Sequence, residues 1–168
     1  MQKSYGLLRG VTNEDLKLLE DDPDNFWSGV SAIGDHAFED CSLLKKIDIP
    51  STIEFIYYGA FRFCNQLEEV NIEGDSLEEI GHRAFEDCHK LKLINIPSSV
   101  KTIGDRSFCS CKSLKNINLP NGLTHIGNSS FSWCGISEFE IPSSVVSIGN
   151  NAFSCCKNSM NFMKKVRN

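Results

Sequence analysis

Nothing in the 168-residue sequence strings together more than a few apolar residues, so no segment reaches the roughly 20 that a helix needs to span a bilayer. The start, MQKSYGLLRGVTNEDL, has neither the apolar core nor the small-residue cleavage site of a secretory signal. A cytoplasmic, reducing setting is therefore the default expectation, and there thiols stay free. Acidic residues outnumber basic ones, 22 to 17. A net charge of −5 argues against nucleic acid or an anionic membrane as partner. Also missing are G-x-S-x-G, P-loop, H-E-x-x-H and EF-hand patterns, and the paired C-x₂-C spacing of zinc sites. No cofactor, metal or small-molecule substrate is expected.

What the chain does have is 40% apolar and 23% charged residues, the balance of a folded domain. The charge is lopsided. Residues 1–99 carry 9 Lys/Arg against 19 Asp/Glu, or −10, and residues 100–168 carry 8 against 3, or +5.

The main signal is an internal repeat. VSAIGDHAFEDCSLLKKIDIPST (Val30–Thr52) returns from Ile53, Leu77, Val100 and Leu123, and a partial sixth copy, VVSIGNNAFSCC, starts at Val145. A period of about 23 residues lies in the leucine-rich-repeat range, where each unit adds one strand to a parallel sheet. That strand is read from Leu44, Ile47 and Ile49 and from their counterparts, down to Ile136, Phe139 and Ile141. Proline closes it in four copies, at Pro50, Pro97, Pro120 and Pro142, because a residue without an N–H cannot continue a ladder. Next comes an isoleucine row (Ile33 to Ile148), usually followed by glycine, whose expected service is a backbone conformation that β-carbons resist. A phenylalanine row follows (Phe38, Phe61, Phe85, Phe108, Phe131, Phe153), expected to stack as the spine of the core.

This unit closely resembles the BspA-type leucine-rich repeat family, whose pattern L-x-x-I-G-x-x-A-F-x-x-C-x-x-L-x-x-I-x-I-P is met almost throughout by VKTIGDRSFCSCKSLKNINLP. The resemblance implies a leucine-rich-repeat solenoid, an α/β repeat that is mainly β. It would have a curved parallel sheet on the concave face and short turns, 3-10 or strand segments on the convex face. It also implies binding of other molecules, and a cell-surface or secreted setting if the analogy with adhesive surface proteins holds. The expected division is a capping segment at 1–29, repeats at 30–156, and a tail or degenerate cap at 157–168. Thr12 and Asp15 suggest a helix over residues 13–21, with Phe26 and Trp27 covering the first repeat.

Six of the eight cysteines share one repeat position (Cys41, Cys64, Cys88, Cys111, Cys134, Cys156), the mark of a packing role for small apolar side chains. Cys109 and Cys155 fall in other columns and are expected to be partly exposed and unpaired. His36 and His82, with Glu39, Asp40, Glu86 and Asp87 nearby, read as solvated convex surface rather than a metal or acid–base site. Phe63 and Trp133 share another convex column, and Asn128 opens a formal glycosylation sequon.

Candidate binding residues lie between the inward strand positions. One column reads Lys46, Glu69, Leu93, Asn116 and Glu138, and its neighbour reads Asp48, Asn71, Asn95, Asn118 and Glu140. A polar strip with one central leucine suits a polypeptide partner. The expected function is a non-catalytic protein-interaction module, possessing adhesive character by family analogy. The alternative is a structural or adhesive array fragment of a larger cell-surface protein, and a metal- or thiol-dependent enzyme comes third.

Overall fold

A period near 23 residues stacks equivalent positions on one another, and a computed structural model describing residues 1–4 and 6–157 shows how the rungs join. Two parallel sheets run along the stack. One contains the expected strand, as β4 (Lys46–Ile49), β6 (Glu69–Ile72) and β8 (Leu93–Ile94). Its register sets Lys46 beside Glu69 and Glu69 beside Leu93, with Ile47, Val70 and Ile94 facing the core.

The other sheet is the longer one. The residue pairs that end in the isoleucine row form β3 (Ala32–Ile33), β5 (Phe55–Ile56), β7 (Glu79–Ile80), β9 (Thr102–Ile103), β10 (His125–Ile126) and β11 (Ser147–Ile148). Each pairs in parallel with the next, isoleucine to isoleucine. A hairpin of β1 (Gln2–Ser4) and β2 (Leu7–Arg9) extends this sheet, β2 pairing with β3. Nothing in the sequence reading anticipated that hairpin.

The first sheet is shorter than expected. Beyond β8 only one bridge, Asn116 to Glu138, continues it among the described residues. Asn95 accounts for the end of the pairing between β6 and β8 at Ile94. Its carboxamide Nδ2 donates to Ile72 O (2.8 Å) and its Oδ1 accepts from Ile72 N–H (2.7 Å), taking the place of a backbone partner.

Between the two sheets the chain runs through overlapping turns. In the first repeat Cys41 N–H donates to Phe38 O and Leu44 N–H to Cys41 O, while Phe38 N–H reaches across to Ala60 O of the next repeat (2.7 Å). Inside this wall the phenylalanine rings stack with centroids 4.7 to 5.3 Å apart and planes within 13°.

The glycine row has a different reason from the one expected. Gly104 and Gly127 do not lie at positive φ. A β-carbon on Gly104 would meet Gly81 C at 2.7 Å, and one on Gly127 would meet Asp105 N at 2.5 Å. Close approach of successive coils, not dihedral freedom, excludes a side chain there. The left-handed residues sit elsewhere, in the column of His36, Arg83, Arg106, Ser129 and Asn151, and in that of Asp40, Phe63, Asp87, Ser110, Trp133 and Cys155.

At the start, the helix is shorter than residues 13–21 and divided. Thr12 and Asp15 do exchange hydrogen bonds, but over a turn that precedes α1 (Leu16–Asp21). Asp22 then accepts from Asn25 N–H and opens α2 (Pro23–Trp27), whose first residue, Pro23, lacks an N–H that would go unpaired anyway. Phe26 and Trp27 are buried with ring centroids 6.1 and 6.3 Å from Phe38. Of the expected tail, the residues after Lys157 lie outside the described region.

Candidate interaction surface

Alternation along β4, β6 and β8 turns every second side chain outward. Lys46, Asp48, Asn95, Asn116, Asn118, Glu138 and Glu140 are exposed, while Glu69 and Asn71 are half-buried. Leu93 is 58% exposed, an apolar residue at the middle of a polar strip. Lys46 Nζ lies 3.2 Å from Glu69 Oε1 and 3.7 Å from Asp48 Oδ1, and the Glu69 carboxylate holds its ammonium above the ordinary lysine range. Backbone pairing joins Lys46, Glu69 and Leu93 into one row and Asp48 with Asn71 into another. Asn116 and Glu138 meet at the bridge. Asn95 is exposed and bonds to Ile72 through both its carboxamide Nδ2 and Oδ1.

The opposite wall carries the cysteines and histidines, each with its own neighbours. All eight cysteines are free thiols. Each ladder thiol donates to a backbone carbonyl one rung earlier: Cys64 to Phe38 O (3.0 Å), Cys88 to Phe61 O, Cys111 to Phe85 O, Cys134 to Phe108 O and Cys156 to Phe131 O. Cys41 reaches Val11 O. The role is therefore donor as well as size, which the sequence reading missed. Burial pushes the Cys41 thiol up to about 11 and Cys156 up to about 12, drives Cys64 and Cys88 higher still, and raises Cys111 well above its ordinary value. Cys109, expected to be partly exposed, is 6% exposed, and burial raises its thiol too. Cys155 is exposed, as expected.

Glu86, placed by sequence on a solvated surface, is 2% exposed. Arg106 Nε donates to its Oε1 at 2.6 Å, Arg62 Nε lies 3.1 Å from Oε2, and Arg83 Nη1 lies 3.7 Å from Oε2. Arg62 also meets Glu39, which pairs with His36. A charge ladder thus stands in the column one residue after the phenylalanines. The signal was legible as the alternation Glu39, Arg62, Glu86 at one repeat position.

His36 and His82 do not converge, since His82 faces Asp105 at 3.8 Å. Among the described residues no three His, Cys, Asp or Glu side chains are placed to hold a metal ion. Phe63 packs beneath the Arg62 guanidinium (4.2 Å), whereas Trp133 is 60% exposed. The Asn128 carboxamide is engaged, donating to Asp105 and accepting from Asn150 N–H.

The family described as BspA type Leucine rich repeat region matches residues 31–160 in six copies. Among solved structures, a leucine rich cell surface protein from Faecalibacterium prausnitzii is 30% identical with a TM-score of 0.64, covering 76% of this chain and 41% of its own. A leucine-rich repeat protein from Eubacterium ventriosum is 25% identical with a TM-score of 0.68, covering 77% and 35%. A leucine rich repeat protein of T. pallidum is 25% identical with a TM-score of 0.60, covering 82% and 76%. The first two relatives are thus more than twice the length that this chain spans. No curated protein matches. No helix among the described residues is long and apolar enough to cross a membrane.

Proposed function

The chain belongs to the BspA-type leucine-rich repeat family, and from that premise we propose that it is a non-catalytic interaction module that binds a polypeptide across the open face of β4, β6 and β8. The single observation behind this reading is Leu93, 58% exposed at the centre of the strip. Burying one leucine against a partner is worth about 1.5–3 kcal/mol, enough to anchor a contact whose rim is polar. Lys46, Asp48, Glu69, Asn71, Asn116, Asn118, Glu138 and Glu140 supply that rim, and residues 1–29 serve as the cap of the solenoid.

A second reading is favoured by the coverage of the relatives. A chain that spans 41% and 35% of two longer proteins would serve as a structural or adhesive array within a larger surface protein. The Faecalibacterium relative is a cell surface protein, and adhesion at a surface fits both readings.

The test is the double substitution Glu69→Lys and Leu93→Asp, with Asn95 left alone because it pins Ile72. Partner capture should disappear while circular dichroism and the unfolding midpoint stay unchanged. Capture that survives in the folded variant refutes the strand-face site and leaves the array reading.

A further inference from the structure

The longer sheet carries a hollow of about 750 Å³ on its outer face, lined by residues of β1, β2, β3 and β5. The isoleucines of this sheet are buried inward, so the residue before each one turns outward. Pairing sets Ala32 between Leu7 and Phe55, and the small alanine forms the floor. One wall is aromatic. Phe55 is half-buried and Tyr57 is 41% exposed, and their rings lie 5.8 Å apart with planes at 13°. Tyr57 breaks the repeat. The other five members of its column are Gly34, Gly81, Gly104, Gly127 and Gly149, and a β-carbon on each would meet a neighbouring coil at 2.7 Å or less. Coil packing thus calls for glycine at position 57, and a half-exposed tyrosine stands there instead. Its companion Phe55 is replaced in later coils by Glu79, Thr102, His125 and Ser147, so both aromatic residues belong to this coil alone.

We propose that this hollow is a subsite for a neutral oligosaccharide, with a pyranose ring lying against Phe55 and Tyr57. The C–H bonds on a pyranose face carry slight positive charge and suit the negative face of an aromatic ring. Each sugar hydroxyl both donates and accepts, which suits a mixed rim. Arg9 only donates, the carboxylates of Asp35 and Glu54 only accept, and Ser31 does both. Asp35 is held in place, its Oδ1 accepting from Tyr58 N–H at 3.1 Å. Arg9 and Glu54 are exposed and have no ion-pair partner among the described residues. Charges of both signs on one rim disfavour an ionic ligand, because a sulfated sugar would meet the carboxylates and an amino sugar would meet Arg9. A peptide is disfavoured for another reason. The strand at the floor, β3, is paired on both sides, so no free edge offers main-chain hydrogen bonds. The hollow's size falls in the range of roughly 300–1,000 Å³ typical of small-ligand sites. This subsite lies on a different sheet from Leu93 and does not rest on the strand-face reading.

Isothermal titration calorimetry of the full chain with cellohexaose, mannohexaose, maltohexaose and chitohexaose tests the proposal, with a heparin hexasaccharide and decaproline as contrasts. At least one neutral hexasaccharide should bind with a submillimolar Kd, and neither contrast should. Tyr57→Gly gives this coil the residue that the other coils carry, so it keeps the fold, and it should weaken sugar binding about tenfold, the size of a lost stacking contact. Phe55→Thr, which copies Thr102, should do the same. Leu93→Asp, on the other sheet, should leave sugar binding unchanged. Failure of all four neutral sugars to bind overturns the proposal, as does undiminished binding in either aromatic variant or an equal loss in Leu93→Asp. Heparin or decaproline binding as tightly as the neutral sugars would assign the hollow to an anion or a polypeptide and overturn it too. Partner capture through Leu93 in a chain that binds no sugar would end this proposal and leave the strand-face reading intact.

Discussion

Alkali should unfold this protein over a narrow range, because the thiol ladder is buried as neutral thiol. In the folded chain burial raises Cys41 from an ordinary value of 9.0 to about 11 and Cys156 to about 12, lifts Cys64 and Cys88 further, and raises Cys111 well above 9.0. A group whose pKa is raised on folding gives stability that is complete below its unfolded pKa. That stability is lost as pH climbs from there toward the folded value, since the unfolded chain then binds fewer protons. At pH 8 the effect is negligible. At pH 10, one unit above the unfolded value, each raised thiol costs on the order of 1 kcal/mol. Five of them together cost roughly 5 kcal/mol, which is comparable with the whole stability of a domain of this size. Urea denaturation followed by circular dichroism, under a phosphine reductant at pH 8 and pH 10, measures the difference. Extensive or complete unfolding without urea at pH 10 is the expected outcome. A loss below about 2 kcal/mol would refute the argument that the ladder thiols are dry in the folded state.

Three further outcomes follow from the same packing. Glu86→Gln should destabilise the chain by about 3 kcal/mol, because it leaves three guanidinium groups facing a buried neutral amide, while Glu39→Gln at the more open end of that ladder should cost under about 1 kcal/mol; equal urea midpoints would contradict this. Gly127→Ala should cost about 2–3 kcal/mol by forcing successive coils apart, and a thermal midpoint within a degree of the parent would disprove the close-approach explanation. Native-state labelling with a maleimide, read by mass spectrometry, should modify Cys155 quickly and leave the six ladder thiols and Cys109 untouched for as long as the chain stays folded.

Repetition made the architecture legible. Six copies of one spacing set the rows of isoleucine, phenylalanine and cysteine, and the ring stack and burial follow from those rows because parallel stacking puts like on like. Features that depend on what a side chain meets one rung away were harder to read. The glycines were assigned to backbone conformation, when their reason is a neighbouring coil that a β-carbon would meet at 2.7 Å or less. Cys109 looked off-register and hence exposed, yet it lies one residue after Phe108, the column in which Arg62 and Glu86 turn inward. The thiols' second role, donating to the preceding phenylalanine carbonyl, leaves no composition signal, because a packing cysteine and a donating one are spelled alike. The β1–β2 hairpin has no repeat to announce it. On the binding face, exposure of the columns was readable from period-2 alternation, but the diversion of Asn95 to Ile72 was not, since asparagine serves a ligand or a neighbouring strand equally well.

The central claim is that a polypeptide docks across β4, β6 and β8, and site-directed photo-crosslinking tests it most directly. Benzoylphenylalanine placed at position 93 should give one dominant polypeptide adduct, suppressed by excess unlabelled chain and absent when Glu69 is changed to Lys. The same group at position 133, on the turn wall, should give none. Equal adducts from the two positions, or an adduct from position 133 alone, would contradict the account.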